Sequence, residues 1–208
     1  MLSEAELPEK PTADILTDDH QLKVRYDAFQ LLVEGDSVQW QWSGPGDQSF
    51  SSQLKLYDQQ DAPCTAHLDD NWEVTGTGPV ATTLMTSGWW HDSAGNKLAR
   101  FRCELTLYAN GLVTADATIH NPRRAKHQGG LWDLGDPGSI HFCRMELETA
   151  TPQSEHFQLT LSTNEEPRSY RAEQRLSLHQ ESSGGDNWDS RNHVNANGQV
   201  LPRYRGFR

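Results

Sequence analysis

Lys97-Leu98-Ala99-Arg100-Phe101-Arg102-Cys103-Glu104-Leu105-Thr106-Leu107-Tyr108-Ala109-Asn110-Gly111-Leu112-Val113-Thr114-Ala115-Asp116-Ala117-Thr118-Ile119 alternates apolar with polar residues on both sides of a short break. Its period is two, the repeat of a strand whose side chains point alternately to opposite faces. Phe101, Cys103, Leu105 and Leu107 share the core face, while Leu98, Arg100, Arg102, Glu104, Thr106 and Tyr108 share the other. Asn110-Gly111 interrupts the alternation with two residues that tolerate positive φ, which predicts a tight hairpin. Val113, Ala115, Ala117 and Ile119 then line one face of the return strand.

The same chemistry extends outward in both directions. Upstream, Gln21 to Glu34 is strand-like, with Leu22, Val24 and Tyr26 alternating before Phe29, Leu31 and Val33. Gly35-Asp36 predicts a turn, and Val38, Trp40 and Trp42 alternate with polar residues as in a half-buried strand. Ser43 to Asp47 is a Gly/Pro turn, Leu54 and Leu56 mark a short strand, and Trp72 to Val74 marks another. Val80 to Trp90 is rich in threonine and aromatics. Downstream, Ile140 to Leu147, Phe157 to Leu161 and Gln174 to His179 are strand-like, and no stretch sustains a helical period. These readings predict an all-β fold: an antiparallel β-sandwich or barrel-like domain over residues 21–208, carrying two long Gly-rich loops. Residues 1–20, acidic and interrupted by Pro8 and Pro11, read as a linker or disordered N-terminus. The tail Val200 to Arg208 reads as a strand entering something further, so the sequence is expected to be part of a longer polypeptide.

Composition narrows the function. The chain has 208 residues, 35% hydrophobic, with a formal net charge of -11. That length supports a core without crosslinks. The negative charge disfavours nucleic acid and anionic membranes as partners, because phosphate binding needs a basic surface. Arg123, Arg124 and Lys126 form the one obvious local cluster of cations in the sequence. Cys64, Cys103 and Cys143 include no close pair, which argues against a zinc site and against a disulfide scaffold. Cys103 and Cys143 sit in strand-like apolar contexts and are expected to act as small core residues. No run is apolar enough to span a membrane, and Met1 to Pro11 lacks the pattern of a signal peptide. The expected location is the cytoplasm, or outside it if an export signal lies elsewhere in a longer protein.

Two polar loops carry the chemistry. His120 to Ser139 holds prolines, glycines, cations, aspartates and Trp132, and Ser182 to Asn197 holds Trp188 among Gly, Asp, Asn, Arg and His. Long loops with this much backbone specification suit a task. His120, His127, Asp133 and Asp136 lie close enough to suggest a metal, but they match no ligand spacing, and the aspartates equally suit glycine turns. The sequence lacks a Gly-x-Ser-x-Gly elbow, and no cysteine sits in an electropositive context, so neither a serine nor a cysteine hydrolase is indicated. Sugar binding fits better. An indole takes the C–H face of a sugar while neighbouring amides, carboxylates and guanidinium groups read its hydroxyls. Each indole would equally plug the end of a sandwich.

These loops also carry a family likeness. Asn121-Pro122 with Gly129-Gly130-Leu131-Trp132-Asp133-Leu134-Gly135-Asp136-Pro137-Gly138-Ser139 resembles the N-terminal domain of the exo-rhamnogalacturonan lyase (YetA-like) family. Ser182 to Trp188, Asn192 to Asn195 and Arg205-Gly206-Phe207 are similar to a later stretch of the same family, and the likeness covers roughly residues 70–208. The resemblance implies an all-β first domain of a long protein whose α/α-barrel and further β domain follow. It implies cleavage of rhamnogalacturonan by β-elimination, which needs a base and a group to neutralise a uronate carboxylate. It carries over no catalytic residue by position. The expected role is therefore a carbohydrate-associated β domain that helps bind or position an acidic polysaccharide, with the missing C-terminal domains as its partners. The alternatives are a lyase active in its own right, with His127 or His193 as base, and a purely structural interdomain module. The expected carbohydrate surface comprises Arg123, Arg124, His127, Trp132, Asp133, Asp136, Trp188, Asn192 and His193. No cofactor is evident, and Ca2+ stays open as a bridging ion.

Overall fold

A computed structural model describes residues 12–18, 20–35, 37–123, 132–133, 140–152, 158–161, 168–171 and 193–194. Among these the structure is all-β, and it separates into two units, Met1–Asn121 with His141–Pro152, and Pro122–Ile140 with Gln153–Arg208.

The first unit holds β1 (Asp14–Thr17), β2 (Gln21–Tyr26), β3 (Phe29–Glu34), β4 (Gln39–Ser43), β5 (Ser49–Tyr57), β6 (Thr65–Leu68), β7 (Glu73–Thr77), β8 (Ala81–His91), β9 (Lys97–Tyr108), β10 (Val113–His120) and, after the second unit's β11 (Trp132–Asp133), β12 (Arg144–Ala150). Its first sheet runs β1-β2-β3-β4-β5-β12, and its second runs β10-β9-β8-β6 with β7 also on β8. The sheets are antiparallel and pack face to face, so the sandwich is realised and the barrel is not. The second unit adds β13 (Gln158–Leu161), β14 (Arg168–Arg171) and β15 (His193–Val194). In it β13 pairs with β14 antiparallel, and β11 pairs with β15 parallel. The expected strand at Gln174 to His179 lies outside the described residues.

Alternation builds the core. Val24, Tyr26, Leu31 and Val33 from the first sheet are completely buried, as are Leu84, Cys103, Leu105 and Leu107 from the second. Removing such side chains from water is the main favourable term in folding, at roughly 1.5–3 kcal/mol for each large one. Tyr26 crosses between the sheets: its hydroxyl donates to the Gly78 carbonyl and meets Thr82 Oγ1 at 2.8 Å. At the opposite end of the sandwich, Asp58 closes β5 onto the β8–β9 turn. Its carboxylate accepts from Ser93 Oγ at 2.6 Å and from the amides of Gln60 and Ala62, both at 3.0 Å. The Ser93 hydroxyl, followed by those amides and that of Ser93, holds the Asp58 carboxyl below the usual carboxylate range against the opposing effect of burial.

Several local readings change. Gln21 to Glu34 is a hairpin, because Asp27 adopts φ 46° and turns the chain between β2 and β3. Aspartate tolerates that left-handed conformation. Residues 14–17 fall in the stretch read as linker, yet they pair with β2, where Asp14 meets Arg25 at 2.6 Å. The Asn110-Gly111 turn has positive φ only at Gly111, with its amide donating to Tyr108 O at 2.9 Å, so the loop closes on a left-handed glycine. Leu98 is buried although strict alternation places it outside, because the register shifts between Trp90 and His91 opposite Ala99 and Lys97. The strand predicted from Ile140 to Leu147 runs Arg144–Ala150, and Cys143 just before it is exposed, so only Cys103 plays the expected core role. Burial pushes the Cys103 thiol up to about 12, which keeps it inert.

A Cβ at Gly111 would lie 2.4 Å from the Phe29 ring on top of its φ of 86°. Gly111→Ala is therefore expected to cost about 2 kcal/mol or more, read as a lower urea midpoint. The lowered Asp58 carboxyl stabilises the fold above the ordinary carboxylate value, and that contribution is lost as pH falls through the folded value. Asp58→Asn should be less stable than wild type at neutral pH, with the gap in urea midpoints closing below about pH 4.

Candidate functional site

The outer face of the first sheet carries charged side chains, among them Lys23, Arg25, Lys55, Glu146 and Glu148, together with a patch of glutamines and serines. Registers fix its rows. Gln30 lies opposite Ser43 and Ser43 opposite Ser49, while Gln41 lies opposite Ser51 and Ser51 opposite Ala150. Gln39 lies opposite Gln53, and Gln53 opposite Glu148. A cleft of about 510 Å³ opens here, between Gln30, Gln41, Ser43, Ser49 and Ser51 on the strands and Thr151-Pro152 beyond β12. A smaller one of about 130 Å³ adjoins it, sharing Gln41, Ser51 and Ala150. The amides of Gln30, Gln41 and Gln53 make no hydrogen bond among the described residues, so their donors and acceptors face solvent or a ligand. The one carboxylate lining either cleft, Glu148, is engaged by Lys55 Nζ.

Trp42 and Phe50 alternate with Gln41, Ser43, Ser49 and Ser51, so their rings lie on the opposite, inward face. Trp42 stacks between Phe29 at 6.2 Å and Phe50 at 5.3 Å, and its Nε1 donates to Gly111 O at 3.0 Å. The hairpin turn of the second sheet therefore holds the indole in one orientation. A cleft with free side-chain amides and serine hydroxyls can read the hydroxyls of a neutral sugar.

These side chains were not singled out from the sequence, although Gln39-Trp40-Gln41-Trp42 and Ser51, Gln53 between Leu54 and Leu56 carry the signal. The residues that were singled out lie in the second unit. Trp132 and Asp133 form β11, whose backbone pairs in parallel with β15, Trp132 opposite His193 and Asp133 opposite Val194. The two loops named from the sequence are thus joined, with Trp132 and His193 at one register position. Arg123 is exposed at the end of the described segment following β10. Arg124, His127, Asp136, Trp188 and Asn192 lie outside the described residues.

Among the described residues, no three His, Cys, Asp or Glu side chains gather as metal ligands. Cys64, half-buried beside Asp58 and Asp92, has its thiol pushed up to about 11, chiefly by burial, and is no thiolate nucleophile. No protein-family model, curated protein or solved structure matches the chain.

Trp42→Phe keeps a ring in the stack but leaves the Gly111 carbonyl without its donor. It should lower stability by about 1–2 kcal/mol, read as a shifted urea midpoint with an unchanged slope.

Proposed function

We propose that this protein is a carbohydrate-associated β domain that helps bind or position a polysaccharide. The observation that carries the reading is the outer-face cleft, in which Gln30 and Gln41, with Gln53 adjoining, present side-chain amides without protein partners beside serine hydroxyls. Side-chain amides without protein partners are available to a sugar, which offers both donors and acceptors. The cleft suits neutral sugar units, because its only carboxylate is already paired and no cation lines it. Acidic units, as in rhamnogalacturonan, would be met by Arg123 and Arg124 through charge-assisted hydrogen bonds. The joining of the Trp132 and His193 loops supports a second sugar-facing surface in the second unit. The polysaccharide lyase-like setting rests on the family resemblance of those loops.

A second reading, a structural interdomain module, is favoured by one observation. Met145 and Leu147 pair in register with buried Leu56 and Leu54, yet they are 42% and 57% exposed. Core-facing side chains left open in this way are what a further domain would cover.

Isothermal titration against rhamnogalacturonan oligosaccharides and neutral oligosaccharides, with and without calcium, tests the reading. The same samples are watched for unsaturated product. Binding is expected without product, weakened about tenfold by the pair Gln41→Leu and Gln53→Leu. Product formation would replace the accessory role with a lyase. Silence from a folded chain that self-associates would favour the interdomain module.

A further inference from the structure

The second sheet ends at β10, and that strand differs from the other edges of the sandwich. It reads Val113-Thr114-Ala115-Asp116-Ala117-Thr118-Ile119-His120 and pairs with β9 along its whole length without a shift. It holds no proline, glycine or lysine, and Asp116 is its one carboxylate. An open sheet edge is a template for another strand unless it is short, bulged or charged. The other edges have those guards. β1 and β6 are four residues each, β7 is five with a register shift, and β12 carries Arg144, Glu146 and Glu148. Among the described residues no strand pairs with the free side of β10. Ala115 and Ala117 are exposed there, although they lie opposite the buried Leu105 and Cys103.

The hairpin shows which backbone groups are open. Tyr108 N–H donates to Leu112 O at 2.9 Å, on the β10 side of β9, and Ala109 N–H donates to Val80 O at 2.8 Å, on the β8 side. Hydrogen-bonded pairs recur at every second residue of an antiparallel ladder. Thr114, Asp116, Thr118 and His120 therefore turn their N–H and C=O groups toward β9. Those of Val113, Ala115, Ala117 and Ile119 point away from the sheet.

We infer that this edge takes the β10 strand of a second copy of the chain, antiparallel about a two-fold axis at Ala117. One register satisfies backbone, size and charge together. Ala117 pairs with Ala117, and Ala115 with Ile119 in both directions, so the open N–H and C=O groups meet one another. On that face the larger isoleucine stands opposite the smaller alanine. Between these pairs Asp116 stands opposite Thr118, and Thr114 opposite His120, so no like charges face each other. Beyond Thr118 the same row continues to Arg102 of that copy, because Thr118 and Arg102 are partners in the β9–β10 ladder. The neighbouring register, with Ala115 on Ala117, puts Asp116 on Asp116, which like-charge repulsion disfavours. The second copy is favoured over an unrelated strand because the edge is complementary to itself, as an isologous interface requires. A ladder from Thr114 to His120 is short and belongs with the small, transient interfaces, so the association is weak. It is independent of the carbohydrate cleft, which lies on the other sheet.

Sedimentation equilibrium of the whole chain is the test. The chain should pass from monomer to dimer between about 1 and 100 μM. Ala117→Pro removes an open N–H without touching a bond to β9. It should weaken the dimer at least about tenfold, with the fold intact by circular dichroism. Thr118→Lys places a cation opposite Asp116 of the other copy and should tighten the dimer about fivefold. Thr118→Glu should weaken it by about the same factor, and adding Asp116→Lys to Thr118→Glu should restore it. The inference is overturned if the chain stays monomeric up to about 1 mM. It is also overturned if Thr118→Lys and Thr118→Glu act alike. A dimer that ignores the β10 substitutions but is lost with Met145→Gln and Leu147→Gln belongs to β12, and overturns it too.

Discussion

The inward face of β9 is the constraint on which the sandwich depends. Phe101, Cys103, Leu105 and Leu107 are all at most 1% exposed, on a strand that pairs with β8 on one side and β10 on the other. A slip of one residue would send all four to the solvent side and bring Arg100, Arg102 and Glu104 into the core. The turn at Gly111 pins that register, because its backbone conformation and its contact with Phe29 leave no room for a side chain. The same turn carbonyl fixes Trp42, so the hairpin that sets the core also anchors the end of β4.

Because the inward faces are committed to each other, function falls to the two outward faces, and their chemistry differs. The first sheet turns out glutamines and serines with its single cleft carboxylate neutralised. Neutral hydrogen-bonding groups read hydroxyls without the desolvation cost that bare charges carry. The second sheet turns out an indole with lysine, arginine and histidine around it, where Arg100 and Arg102 are paired to Asp69 and Glu104. A sandwich can hold both because alternation lets outward residues vary without disturbing the core.

The fold was legible wherever period two ran long. Phe101 to Leu107 and Val38 to Trp42 were read correctly, since burial of one face leaves a plain alternation. It was less legible where the backbone departs from that period. The β2–β3 turn at Asp27 carries no glycine, and the register shift near His91 buries Leu98 against the pattern. Sandwich and barrel share one strand pattern, and only pairing separates them. The cleft was hidden for a different reason. Gln41 and Gln53 are twelve residues apart, on strands whose register places Gln41 opposite Ser51 and Gln39 opposite Gln53, which spacing alone does not encode. Likewise, nothing in the sequence announces that Trp132 and His193 share a register position, although both loops were noticed for their composition.

The central claim is that the amide-lined cleft of the first sheet takes sugar. The most direct measurement is nuclear magnetic resonance of the side-chain amide protons during titration with a neutral oligosaccharide. Saturable shifts of the Gln30, Gln41 and Gln53 side-chain amides are expected, with the Arg100 and Trp89 signals unmoved. Saturable shifts confined to residues outside the cleft, or no shifts from a folded chain, would contradict it.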